Sequence, residues 1–464
     1  MESDIAFDFG NIRADAVGPE HGVSENELAE LSEPLARGHE RLANLRQSGE
    51  VAFFDLPYDE ENVARVKQVA NEAAGQFGAV VVLGIGGSAL GSIALRSALC
   101  HPLYNELPPA RRNGPRLYIE DNVDPVRLKA VFDLIEPAKT LFVVISKSGT
   151  TVETLAQFLF IRSLLDGDLR NNVIVVTDAG PSTLRGIGES ECRATLEVPA
   201  GVGGRFSVLS PVGLLPAALA GIDIDALLAG AAQADQVRCS SPSAVDNDAY
   251  MAAAVEYILY QKAKRISVMM PYATGLVEIT DWYRQLWAES LGKTSDVGPT
   301  PVRATGVTDQ HSQVQLYREG PNDKVICFLA VQHFQDEVPI PPAWESTEAI
   351  GYIGGHSFNQ LIEYERIATT LALTDAQRPN YTITLPEVNP YSVGQLLYML
   401  EVKAAISGEL YGVNAFDQPG VEAGKALSYG LMGRKHYERA RQWVMNKQAG
   451  RAESSVDEMV DEMK

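Results

Sequence analysis

AVVVLGIGGSALGSIALRSAL, residues 79–99, holds the first sign of the architecture. It opens on five apolar, mostly β-branched residues, a run that suits a strand buried on both faces. GIGGS (84–88) breaks that run with glycine, and the residues after it have helical character. Together with its upstream flank, the uncharged stretch 73–95 is long enough to cross a bilayer as one helix, but six glycines interrupt it. A strand, a glycine turn and a helix account for it better.

The same alternation recurs on both sides. RLYIE (116–120), TLFVVIS (140–146) and NVIVVTD (172–178) read as strands, and TVETLAQFLFIRSLL (151–165) reads as an amphipathic helix. A second series starts near residue 245. Its helices are DAYMAAAVEYILYQKAK (248–264), GLVEITDWYRQLWAESLG (275–292), FNQLIEYERIATTLAL (358–373) and VGQLLYMLEVKAAISGELYG (393–412). Its strands are RISVMMPY (265–272), KVICFLAV (324–331) and YTITLPEV (381–388). Strand alternating with helix implies parallel sheets. The expected fold is therefore α/β, with two tandem units, each a mainly parallel sheet between helix layers. CSSPSAVDND (239–248) reads as the linker between them. This divides the chain into an N-terminal helical extension (1–70), a first domain (71–244), and a second domain with C-terminal helices (245–464). AESSVDEMVDEMK (452–464) reads as an acidic helical tail or an unstructured surface.

Composition removes several classes of function. The chain has 464 residues, 45% hydrophobic and 21% charged, which is ordinary globular usage and not that of a disordered chain, a collagen or a coiled coil. The formal net charge of -21 argues against holding a nucleic-acid backbone, though not against binding a small anion through backbone amides and a few placed cations. Four scattered cysteines, with no CxxC and no metal-type spacing to the histidines, point to a reducing cytosol and to no metal site. The acidic N-terminus carries no secretory pattern, so a cytoplasmic protein with no membrane partner is expected.

Six segments carry residues of chemical interest. LGIGGSALG (83–91) leaves a strand and opens a helix, where glycines allow close approach to an anion. It also fits the loose GxGxx(G/A) dinucleotide fingerprint, but the nearest acidic residues, Glu120 and Asp121, lie over thirty positions on rather than about twenty. SKSGTTVET (146–154) sets Ser146, Lys147, Ser148, Gly149, Thr150 and Thr151 before a helix. That hydroxyl density suits a phosphate, although Thr151, Glu153 and Thr154 also offer ordinary capping. VGGRFSVLSPVGLLP (202–216) places Arg205 beside Gly203 and Gly204 in a long uncharged run. WAESLGK (287–293) puts Glu289 in the last turn of a helix bearing Trp282, Tyr283, Leu286 and Trp287, with Gln285 one turn earlier. Spacing alone does not separate an exposed helical glutamate from a carboxylate in an apolar, aromatic setting, where it would serve as a base. GVTDQHSQVQLYREG (306–320) holds His311, which reads first as a surface histidine. NAFDQPGVEAGK (414–425) places Lys425 at a helix start, the wrong end for the helix dipole.

In this order, GIGGS, SKSGTTVET, GGRFSVLSPVGLLP, AESLGK, QHSQ and PGVEAGK resemble the glucose-6-phosphate isomerase (phosphoglucose isomerase) family, its shorter bacterial form in particular. The resemblance spans about residues 70 to 430 and implies two sugar-isomerase (SIS) domains and an aldose–ketose isomerisation through a cis-enediol. It implies that Ser146, Lys147, Ser148, Thr150 and Thr151 hold the phosphate, and that Gly87, Ser88, Gly204 and Gln285 complete the substrate contacts. Glu289 would move the proton between C2 and C1, Arg205 would stabilise the enediolate, and His311 and Lys425 would open the ring. The family's histidine reaches the site from the neighbouring subunit, so a homodimer is implied, with no metal and no cofactor. Three rivals remain at this point: a dual glucose/mannose-6-phosphate isomerase, a sugar-phosphate sensor without catalysis, and a nucleotide-dependent oxidoreductase.

Overall fold

The computed structural model describes residues 4–450 and 455–461. Ten strands are present among them: β1 (Ala6–Asp8), β2 (Ala79–Leu83), β3 (Arg116–Glu120), β4 (Thr140–Ile145), β5 (Val173–Asp178), β6 (Ala194–Val198), β7 (Ile266–Pro271), β8 (Thr300–Arg303), β9 (Lys324–Val331) and β10 (Asn380–Leu385). Strands β2 to β6 form one parallel sheet in the order β3-β2-β4-β5-β6. Strands β7 to β10 form a second, in the order β10-β9-β7-β8, and β1 adds antiparallel to β10 at its edge. The fold is thus α/β with two mainly parallel sheets. Every residue of β2 and β4 is buried, which is why these strands read as unbroken apolar runs rather than alternating ones.

Both sheets are wound in two directions from one point. In the first, β3 lies on one side of β2 and β4 on the other. Open parallel sheets bind ligands beyond the carboxyl ends of their strands at such a switch point. The loops 84–88 and 146–151 leave β2 and β4 at that end, where Leu83 lies opposite Val144. The helix Val277–Leu291, from the second half of the chain, packs against the helix Leu90–Leu99 that follows the first loop.

The N-terminal segment differs from the helical extension expected of residues 1–70. It does contain helices, among them Ser32–Ser48 and Glu60–Ala73, but β1 completes the second sheet, with Ala6 opposite Thr384. Three residues are too few to show an alternating pattern, so this strand left no trace in the sequence. The edge strands β6 and β8 were also unread; both are only partly buried, and β8 contains Pro301.

The longest helix, Pro390–Tyr411, is buried along nearly its whole length. The Asn389 side chain accepts from the Ser392 amide (2.9 Å), Pro390 occupies the first helical position, and Gly412 ends the helix at φ +67. A cap of this kind is worth about 1 kcal/mol. Internal contacts divide the chain into two compact units, Met1–Ala415 and Phe416–Lys464. Both sheets belong to the first. The second contains the helices Glu422–Leu431, Glu438–Gln448 and Val456–Asp461. The last of these makes part of the acidic tail helical; residues 452–454 and 462–464 lie outside the described residues. Among the described residues, no helix is long and apolar enough to cross a membrane.

Candidate active site

The glycine loop after β2 is shaped by contact with another loop. Residues Gly86–Ser88 form a 3-10 turn whose neighbour is the turn Gly204–Phe206. A Cβ on Gly87 would lie 2.2 Å from the Gly204 carbonyl oxygen, so only glycine fits there. Ser207 Oγ donates to that same carbonyl (2.7 Å). A Cβ on Gly204, by contrast, would meet nothing within 4 Å. Gly87→Ala is therefore expected to force the two turns apart and lower kcat/KM on the order of a hundredfold, the scale on which misplacing catalytic groups by about an ångström acts. Gly204→Ala should leave the melting temperature unchanged and raise KM, because its added methyl enters open space beside the arginine. Kinetics and thermal melts of the two variants separate these outcomes.

The second loop supplies hydroxyls. Ser146, buried at the end of β4, donates to Thr151 Oγ1 (2.9 Å), and Thr150 Oγ1 and its amide both point to Ser148 Oγ (3.1 and 3.3 Å). The Lys147 carbonyl accepts from Asp178 N and Thr177 Oγ1, tying the loop to β5. Gly149 sits at φ +63, a left-handed conformation that glycine adopts without strain. Thr151 is the N-cap of the helix Val152–Leu164, yet its side chain makes no capping hydrogen bond. The capping role allowed by the sequence is therefore not taken up. The helix start keeps its amides for another acceptor, the arrangement that binds anions.

The carboxylate and the guanidinium meet. Glu289 Oε1 lies 3.2 Å from Arg205 Nη1, and Gln285 Nε2 donates to Glu289 Oε2 (2.9 Å) across one helical turn. The Arg205 side chain is 1% exposed. Its Nε donates to Ser290 Oγ (2.8 Å), and its Nη2 donates to the Ala415 carbonyl. The guanidinium is thus fixed from three directions, with Glu289 on one of them. The Glu289 carboxylate is neither freely exposed nor without polar partners: it is ion-paired to a guanidinium and accepts from an amide. Gln285 also lies against the glycine loop, since a Cβ on Gly86 would be 3.0 Å from Gln285 Nε2, and Gln285 Oε1 is buried with no hydrogen-bond partner among the described residues. Ser290 and the Ala415 carbonyl were missed from sequence; each is adjacent to a quoted motif, but nothing in a motif says which neighbour grips the arginine.

Two predicted residues are not members of this hydrogen-bonded group. His311 is exposed, at the end of the turn Thr308–His311 after β8. Asp309 braces that turn. Burial pushes its carboxyl up, but hydrogen bonds from Ser312, Gln313 and the Thr305 amide outweigh this and hold it below the usual carboxylate range. Lys425 lies in the unit Phe416–Lys464, in the first turn of Glu422–Leu431, with its Nζ 2.8 Å from the Glu422 carboxylate. Glu120, the nearest acidic residue for a dinucleotide fingerprint, does close β3. Its carboxylate is buried and engaged by Arg127 (3.0 Å), so it is not presented to a ribose.

The sequence model of the family described as phosphoglucose isomerase matches residues 63–442. The chain is 45% identical over 453 residues to the glucose-6-phosphate isomerase of Carboxydothermus hydrogenoformans, covering 95% of this chain and 97% of that one. It is 44% identical to the corresponding protein of Rubrobacter xylanophilus, covering 94% and 99%. Among solved structures, the fold is similar to that of a hypothetical protein from Thermus thermophilus, with a TM-score of 0.81, 36% identity, and coverage of 92% and 100%. It is also similar to a glucose-6-phosphate isomerase from Chlamydia trachomatis, with a TM-score of 0.71, 25% identity, and coverage of 84% and 76%.

Proposed function

The chain belongs to the phosphoglucose isomerase family, and from that premise we propose how its residues divide the work of the reaction. The protein interconverts glucose 6-phosphate and fructose 6-phosphate. The observation that carries the assignment of roles is the Glu289–Arg205 pair at 3.2 Å, set beside the glycine loop at the carboxyl end of the first sheet. Glu289 takes the C2 proton of the open-chain aldose and returns it to C1. Arg205 faces the oxygens that gain negative charge in the cis-enediolate; because it is already immobilised by Ser290 and Ala415, it stabilises that charge without reorganising. Gln285 Oε1, buried and unpartnered, suits a sugar hydroxyl as donor.

The phosphate goes to the loop 146–151, where Ser146, Ser148, Thr150 and Thr151 supply hydroxyls, Lys147 supplies charge, and the helix start supplies amides. Gly87, Ser88 and Gly204 line the sugar. Anchoring the phosphate away from the reacting carbons lets its binding energy hold C1 and C2 against the base. His311 and Lys425 exchange protons with the ring oxygen and the C1 hydroxyl to open the ring.

We assign the working form as a homodimer with shared sites. The helix Phe358–Asp375 exposes Phe358, Leu361, Tyr364, Ile367 and Leu371, spaced three or four residues apart, so one face is apolar and uncovered. Trp344 and Tyr352, just before it, are exposed as well. A second copy covering this face accounts for it, and it places the exposed His311 where a neighbouring subunit can use it. The four cysteines carry no disulfide, in keeping with the cytoplasm. The domain boundary is placed in the linker 239–248, between the two sheets.

The direct test is conversion of fructose 6-phosphate to glucose 6-phosphate by purified protein in EDTA, coupled to NADP reduction by a separate dehydrogenase, with mannose 6-phosphate run in parallel. Rapid turnover of fructose 6-phosphate in EDTA is expected. Comparable turnover of mannose 6-phosphate would make the enzyme dual-specific. No turnover by folded protein that still binds sugar phosphate would make it a sensor.

A further inference from the structure

A fully buried ammonium lies behind the site. Lys403, on the helix Pro390–Tyr411, is 2% exposed, and its Nζ has three acceptors: Glu256 Oε1 (2.6 Å), Tyr283 OH (2.9 Å) and Tyr381 OH (3.1 Å). Glu256, 3% exposed on the helix Asp248–Gln261, also accepts from Tyr381 OH (2.7 Å) and from Ser267 Oγ on β7 (2.9 Å). The ammonium lies 4.5 Å from the centre of the Trp287 ring, which stacks on Tyr283. Tyr283 and Trp287 belong to the helix Val277–Leu291, the one that carries Gln285 and Glu289.

We propose that Lys403, neutralised by Glu256, is a positioning residue that holds the Gln285–Glu289 helix in register with Arg205. A buried ion pair is a weak source of net stability, because its desolvation cancels much of its attraction. What it does provide is direction, since three donors on one nitrogen meet three acceptors on three different elements. The helix that carries Lys403 ends at Tyr411, and four residues later the Ala415 carbonyl accepts from Arg205. One helix therefore bears on both members of the catalytic pair, through Tyr283 on one side and through Ala415 on the other. The inference rests on Glu289 and Arg205 having the roles assigned above.

The test uses the full-length protein and three variants. Lys403→Met combined with Glu256→Gln removes both charges together, so no unpaired ion is left in the core. Tyr283→Phe removes a single hydroxyl and keeps the ring. Val175→Ala, in the core of the first sheet, is a control that loses stability only. The double variant is expected to lose on the order of tenfold in kcat with KM for fructose 6-phosphate held within about twofold, the signature of a displaced catalytic group. Tyr283→Phe should lose kcat in the same sense, and it decides the matter alone if the double variant does not fold. Val175→Ala should lower the melting temperature and leave kcat unchanged. Unaltered kcat in Tyr283→Phe, or an equal loss of kcat in Val175→Ala, would overturn the proposal and leave the network as scaffold. Glu289→Gln is measured alongside. If that variant keeps its turnover, the base assignment has failed, which is a different result from an inert Tyr283→Phe.

Discussion

Glu289→Gln is expected to abolish isomerisation while leaving sugar-phosphate binding in place. The replacement keeps the shape of the side chain and its reach to Gln285, and it removes only the capacity to take a proton from carbon. Arg205 keeps its hydrogen bonds to Ser290 and Ala415, so the guanidinium is not released when its carboxylate partner becomes an amide. The loop 146–151, proposed to hold the phosphate, is a separate structure built on β4 and on the following helix. Loss of a positioned general base costs roughly a hundredfold to ten-thousandfold, and the upper end is expected for kcat because the amide cannot take a proton from carbon. The measurement is turnover in the coupled assay, together with the dissociation constant for an unreactive six-carbon phosphate such as sorbitol 6-phosphate. Turnover lost with the constant unchanged identifies Glu289 as the base. Both lost together would mean that the carboxylate holds Arg205 in place and does no proton transfer.

Seven strands read from the sequence are all present; six lie inside their sheets, and β3, at an edge, is still buried at four of its five positions. A strand buried on both faces must be apolar at every position, and such a run is conspicuous. The three that were missed, β1, β6 and β8, lie at sheet edges, where one side meets solvent and the pattern fades. The helix read over 393–412 is present, but its ends differ: it begins at Pro390, after the Asn389 cap, and Gly412 lies past its last helical residue.

The site was legible in its parts and not in its pairings. Hydroxyl density alone makes the loop 146–151 a candidate anion site, but it leaves open whether Thr151 caps its helix. Only the backbone geometry settles that the hydroxyl is turned elsewhere. Arg205 and Glu289 were each singled out by their neighbours in sequence. That they face one another, with Ser290 and the Ala415 carbonyl each accepting from the arginine, depends on distant parts of the chain converging. Whether Glu289 is exposed or set among apolar groups stays open from spacing alone for the same reason. Of the buried aromatic residues on the Glu289 helix, Tyr283 and Trp287 pack around Lys403, a partner that the helix's own pattern cannot name.

Mixing two inactive proteins should restore activity. If each site takes Glu289 from one subunit and His311 from the other, then Glu289→Gln and His311→Ala homodimers each carry two damaged sites. A mixed dimer concentrates both substitutions in one site and leaves the other intact. With random exchange, half the dimers are mixed and half their sites are whole, so about a quarter of wild-type activity is expected from a two-fold arrangement. The exposed position of His311 and the bare apolar stripe on Phe358–Asp375 are what make exchange between copies the natural reading. The substrate adds a second arm to the test. His311→Ala should act on ring opening, so the variant should regain much of its rate on an open-chain sugar phosphate, whereas Glu289→Gln should not. Recovery in the mixture, with rescue of His311→Ala by open-chain substrate, places the histidine across the interface and in ring chemistry. A mixture no more active than its components would put both residues in one subunit, and equal loss on cyclic and open-chain sugar would remove His311 from ring opening.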